Sequence, residues 1–140
     1  MLDRLKRWRG ERGRFPQDVR EALEAEGVEV IEESVPLDAI FRGYTVPGQR
    51  PRSGHQHARA SLALTSKRLV VHGTGQISLE VPAGATWLTA TTPAPDRLML
   101  AYEAEHAQRN RSGEVELTLQ TPRAAEIHAR LQAWIQTPPS

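Results

Sequence analysis

The sequence predicts a mainly β fold: a small barrel or sandwich of about seven antiparallel strands, capped by a C-terminal helix and preceded by a short helix. Two observations carry this. Between Val28 and Gln120, apolar residues recur with a period of two in short runs separated by turn residues. Beyond Gln120 the period becomes 3.6, and Ala124, Ile127, Leu131, Trp134 and Ile135 fall on one helical face.

Taken in order, Pro16 suits the first position of a helix. "QDVREALEAEG" follows, with Val19, Ala22 and Leu23 on one face and Gly27 at the C-terminal stop. "VEVIEESV" then reads as a strand-like entry that Pro36 breaks, and 37–46 as the first full strand. The polar stretch "PGQRPRSGHQH" holds two prolines and two glycines, so it reads as a loop, with 47–56 exposed. A strand at 57–64 puts Ala58, Ala60, Leu62 and Leu64 inward and His57, Arg59, Ser61 and Ala63 outward. A strand at 67–72 follows after a tight corner, in which the Thr65 and Ser66 hydroxyls bond to backbone while Lys67 and Arg68 are solvated. Further strands are expected at 77–81, 85–91, 97–104 and 114–120, with turns at Gly73–Gly75, Pro82–Gly84, Pro93–Asp96 and Asn110–Gly113. Thr121 can cap the last helix, with Pro122 in its first position. Trp134 belongs to the core, and Trp87 to the core or to a lid over the open end.

Two short motifs stand out. "LALTSKRLVV" is an apolar strand, a Thr-x-x-Arg corner and a second apolar strand, and Ile77 to Pro82 has the form I-x-L-x-V-P. With the closing helix, these make Val28 to Ile135, about three quarters of the chain, resemble the bacterial pleckstrin-homology-like or GRAM-like domains. The division is then 1–27, a basic arm with a short helix, and 28–137, the pleckstrin-homology-like domain. An immunoglobulin-like sandwich does not need such a terminal helix, and an oligonucleotide-binding barrel has fewer strands.

The net charge of +1 conceals segregation. Residues 1–14 balance at +4, 18–38 at −7, 39–72 at +6 with no acid, and 73–140 at −2. Such blocks create local fields. Arginine outnumbers lysine 16 to 2, as codon supply alone can produce, which discounts each arginine as a phosphate ligand. The acids of 18–38 read as the wet face of a helix and an outer strand.

Signatures of catalysis are missing from the sequence: no glycine-rich phosphate loop, no G-x-S-x-G elbow and no paired-histidine helix motif. The expectation is therefore a protein that is not an enzyme and takes no cofactor. Without cysteine there is neither a disulfide framework nor a thiolate metal site. His55-x-His57 places two rings on one side of a strand, but with no third ligand visible in sequence no metal site is assigned. His72, His106 and His128 read as surface or boundary residues. No apolar run has the length of a membrane span, and the basic N-terminus lacks the apolar stretch of a secretory signal. A cytoplasmic protein is expected.

The resemblance implies a non-catalytic binding or scaffold module, for an anionic lipid head group or a protein partner. In such domains the loop between the first two strands is the usual anion site, patterned as a lysine, a spacer, then two basic residues one apart. The matching positions here are Arg42, then Arg50-x-Arg52, with His57 and Arg59 behind; arginine replaces the pattern's lysine but keeps the charge. A lipid ligand implies peripheral attachment at the inner face of the membrane. Lys6, Arg7, Trp8 and Arg9 form a candidate membrane arm, as a basic segment with an interfacial tryptophan. The alternative is a nucleic-acid-binding protein using the basic arm and residues 42–68, disfavoured because only Phe41 and Tyr44 are there to stack on bases.

Overall fold

Residues 14–74 and 77–136 are described by the computed structural model. In chain order the elements are α1 (Gln17–Glu26), β1 (Val28–Thr45), β2 (Arg52–Thr65), β3 (Arg68–Gly73), β4 (Ser78–Pro82), β5 (Thr89–Ala94), β6 (Arg97–Glu103), α2 (Ala104–Ala107), β7 (Ser112–Gln120) and α3 (Ala124–Gln136). The seven strands form one antiparallel sheet in the order β4-β3-β2-β1-β7-β6-β5. It is curled into a half-barrel. The expected class, with its C-terminal and short N-terminal helices, is the observed one.

The curl originates in β1, which pairs with β2 along one side and β7 along the other. Its register slips between Glu32 and Val35 and again between Phe41 and Tyr44. Ser34 and Gly43 hold positive φ angles of 57° and 62° at these two slips. Bulges of this kind bend a strand and increase its twist. Pro36 therefore does not break the strand, as its sequence context suggests. It lies just beyond the first bulge, before β7 joins at Leu37, where β1 is locally an edge and tolerates a residue without an amide hydrogen.

A second departure is the length of β2. Its first six residues, Arg52–His57, are exposed yet remain paired with β1, through Gly54↔Phe41, His55↔Ile40, Gln56↔Ala39 and His57↔Asp38. The loop expected at 47–56 is reduced to the turn around Pro47–Gln49, and the rest is a hairpin arm. Because this arm projects past the core, it lacks the apolar alternation by which a strand is recognised. At the other side of the sheet, β5 begins at Thr89, four residues later than expected, and α2 replaces the expected end of the β6 strand.

The concave face holds the core, including Leu62, Leu64, Leu69, Val71, Leu117 and Leu119. These are the residues that the period of two points inward. Helix α3 lies across β5 and β6, with Ala124, Ile127, Leu131 and Trp134 buried. Its start is fixed by Thr121, whose hydroxyl accepts the Arg123 amide at 3.1 Å and donates to Glu32 at 3.1 Å. On the convex face Phe15 and Leu23 join Ala63 and Val70 in a second, small cluster against which Val28 and Ile31 also pack, so α1 is packed on β1 and β2.

Candidate functional site

Charges that are segregated along the chain meet in space. At the β2–β3 corner the Thr65 hydroxyl oxygen accepts the amides of Lys67 and Arg68, both at 3.1 Å, as expected for this motif. Arg68 is partly buried and ion-paired, not a freely solvated corner residue. Its guanidinium forks onto Glu26, with Nη2 at 2.7 Å, and reaches Glu80 at 2.9 Å. The Arg68 hydrogen bonds hold the Glu26 carboxyl below the usual range against a smaller opposing effect of burial. Glu32 takes Arg123 at 3.3 Å, and Glu33 takes Arg20 at 2.9 Å. Much of the acidic 18–38 segment therefore ties elements together instead of forming a wet face.

The basic residues expected to bind an anion divide in the same way. Arg42 is paired with Glu116 at 2.5 Å, a hydrogen bond that raises the pKa of its guanidinium. Arg59 donates from Nε to the Ser34 hydroxyl at 3.1 Å and from Nη2 to the Ser34 carbonyl. His57 contacts Asp38. These three do not converge on the turn. Arg50 and Arg52 are exposed at the end of the β1–β2 hairpin and form no ion pair among the described residues. The candidate arm Lys6, Arg7, Trp8 and Arg9 lies outside the described residues.

Beside Arg52 opens a cleft of about 570 Å³, bordered by Phe41, Tyr44, Gly54, Gln56, Gln108 and Arg111 among others. The second bulge of β1 explains its lining. One additional residue in the strand brings Phe41 and Tyr44 to the same side, with ring centroids 5.3 Å apart in an edge-on arrangement. Tyr44 is the register partner of Arg52, so that arginine shares their side of the sheet. The opposite wall comes from the segment after α2, where Arg111 adds a second cation that forms no ion pair among the described residues. Arg111 had no signal in the sequence, because nothing local places it opposite the hairpin.

A neighbouring cleft of about 470 Å³ is lined by Trp87, Tyr102, His106, Glu103, Glu114 and Glu116. Trp87 is half-buried against the main core and stacks on His106 with ring centroids 5.5 Å apart, so it stands at the edge of the core. Burial pushes the Tyr102 phenol up to about 12, so it stays protonated throughout the neutral range.

On the outer side of the hairpin arm, Asp38 stands opposite His57 and two register positions from His55, the partner of Ile40. His55 Nε2 lies 3.7 Å from Asp38 Oδ1, and the two imidazole centroids are 4.5 Å apart. A carboxylate that no local spacing places beside the two rings is thus supplied by the adjacent strand. A hairpin centred on Pro47-Gly48 pairs these residues, so its signal was present once the arm was recognised as a strand.

Compared with profiles of known protein families and with curated proteins, the chain matches none. Among the described residues no helix is long and apolar enough to cross a membrane.

Proposed function

We propose that the protein is a non-catalytic binding module of the pleckstrin-homology-like or GRAM-like kind, which engages an anionic lipid surface through the tip of its β1–β2 hairpin. The observation that carries this reading is the selective pairing of its cations. Arg42, Arg59 and Arg68 have protein partners, whereas Arg50 and Arg52 project at the tip, next to a cleft that Arg111 also borders. No acidic residue occurs between Asp38 and Glu80, so neither hairpin strand beyond Asp38 offers a competing carboxylate. Guanidinium groups match phosphate oxygens through forked hydrogen bonds. Phe41 and Tyr44 give the same end an apolar component suited to the boundary between head groups and acyl chains. Seven antiparallel strands followed by a closing helix support the family resemblance. This reading implies a cytoplasmic protein, peripheral at the inner face of the membrane.

The pairing also weighs against the nucleic-acid alternative. A duplex needs many free cations along a track, and in the 42–68 block half the basic residues are bound within the protein. The test is sedimentation of the full chain with vesicles of phosphatidylcholine alone or with phosphatidylserine, beside a duplex DNA titration. Binding to the anionic vesicles that weakens with salt is expected. Equal binding to both vesicles, tighter binding to DNA, or no binding to either vesicle overturns the proposal.

A further inference from the structure

We infer that Asp38, His55 and His57 form a binding site for one divalent transition-metal ion on the outer side of the hairpin arm. The site does not depend on the lipid reading.

Its geometry follows from the backbone. Residues i and i+2 of a strand project to the same side, so His55 and His57 rise together from β2. The antiparallel ladder sets Asp38 directly across from His57, at a separation of about 5 Å between Cβ atoms. One donor atom from each residue lies within 4.8 Å of the other two. Ligands at about 2.0–2.2 Å from a tetrahedral ion are about 3.3 Å from one another. The 3.7 Å separation of His55 Nε2 from Asp38 Oδ1 is close to that edge, and His57 Nδ1 already touches the same oxygen. Small side-chain rotations are enough to admit the ion.

The surroundings favour occupancy. Among the described residues, Arg59 and Arg42, which flank Asp38 along the hairpin, are engaged elsewhere, Arg59 by Ser34 and Arg42 by Glu116. Side-chain exposures of 51% for His55, 77% for His57 and 39% for Asp38 leave room for water at the remaining coordination positions. Two imidazoles and one carboxylate suit zinc, copper, nickel or cobalt, whereas calcium and magnesium require a shell of oxygens. The metal draws β1 and β2 together at the point where the arm leaves the core.

The full chain, freed of metal with a chelator, is titrated with zinc by calorimetry and with cobalt by visible absorption. One equivalent is expected, and cobalt should give the intense visible bands of a low-coordinate site with nitrogen ligands. His55→Gln combined with His57→Gln should abolish binding. Asp38→Asn should weaken it at least tenfold, since loss of mere supporting contacts to a metal ligand costs 10–100-fold. His106→Gln, in the separate exposed cluster with Glu103 and Glu105, should leave it unchanged. A readout without variants is the nitrogen NMR spectrum of the five histidines, where zinc should shift His55 and His57 and leave His72, His106 and His128 in place. Absence of binding by the parent, survival of binding in the double variant, or zinc-induced shifts at other histidines overturns the assignment. Unchanged affinity in Asp38→Asn overturns the three-ligand site.

Discussion

Trp134 allows a pair of substitutions that separate packing from polarity. Its side chain is 9% exposed within the main core, and its indole Nε1 is buried with no hydrogen-bond partner among the described residues. Replacing Trp134 by alanine removes a large aromatic and leaves a cavity, a change that costs about 3–5 kcal/mol. It also removes an unpaired buried donor, whose desolvation costs roughly 1–3 kcal/mol in the parent. The net expectation is a loss of about 2 kcal/mol. Trp134→Phe keeps most of the apolar body and discards the donor, so the two effects nearly cancel and the change should stay within about 1 kcal/mol. For a domain of this size about 1 kcal/mol corresponds to roughly 3–6 °C in Tm. Urea and thermal unfolding followed by circular dichroism, which does not depend on the removed fluorophore, measure both variants. A Trp134→Ala protein that melts within a degree of the parent would refute the docking of α3. A Trp134→Phe protein as unstable as the alanine variant would show that the indole N–H is satisfied.

Three further substitutions test the scaffold. Gly113 has φ +104°, and a Cβ there would come within 2.6 Å of the Gly43 carbonyl oxygen; Gly113→Ala should cost about 2–4 kcal/mol and disturb the Phe41–Tyr44 pair, as read from its Tm and tyrosine fluorescence. Leu23→Ala, at a fully buried position on α1, should cost about 2–5 kcal/mol in urea, whereas a merely appended helix would leave the transition unmoved. Glu26→Gln probes pH dependence. Since the Glu26 pKa is lowered on folding, its contribution is complete above the ordinary value of 4.5 and is lost as pH falls through the lowered folded value. The parent should therefore be the more stable protein above pH 4.5, and the gap should close in stronger acid; a gap independent of pH would contradict the role of the ionised carboxylate.

Legibility in the sequence followed burial. β4, β6 and β7 alternate between core and solvent, so period alone places their inward residues, and the stripe of α3 was equally plain. The hairpin arm of β2 has solvent on both faces, which leaves Gly54 and Pro51 as the dominant local signals and makes a strand look like a loop. Pro36 misleads for a related reason: its cost depends on whether a neighbouring strand needs its amide, a fact of topology. The proposed anion site was legible only in part. Arg50 and Arg52 stand at the tip as their position between the strands implies, but no local pattern says that Arg42 meets Glu116 or that Arg59 turns to Ser34. Those partners lie 74 and 25 residues away in sequence.

On this account the free cations of the hairpin tip, and not the hairpin cations held within the protein, are what an anionic surface meets. Sedimentation with phosphatidylserine-containing vesicles at low and physiological salt, on two double variants of equal charge change, tests it most directly. Arg50→Ser with Arg52→Ser should abolish binding, while Arg42→Ser with Arg59→Ser, which removes cations already bound within the protein, should leave most of it. Equal losses in the two variants, or a larger loss in the second, would contradict the account.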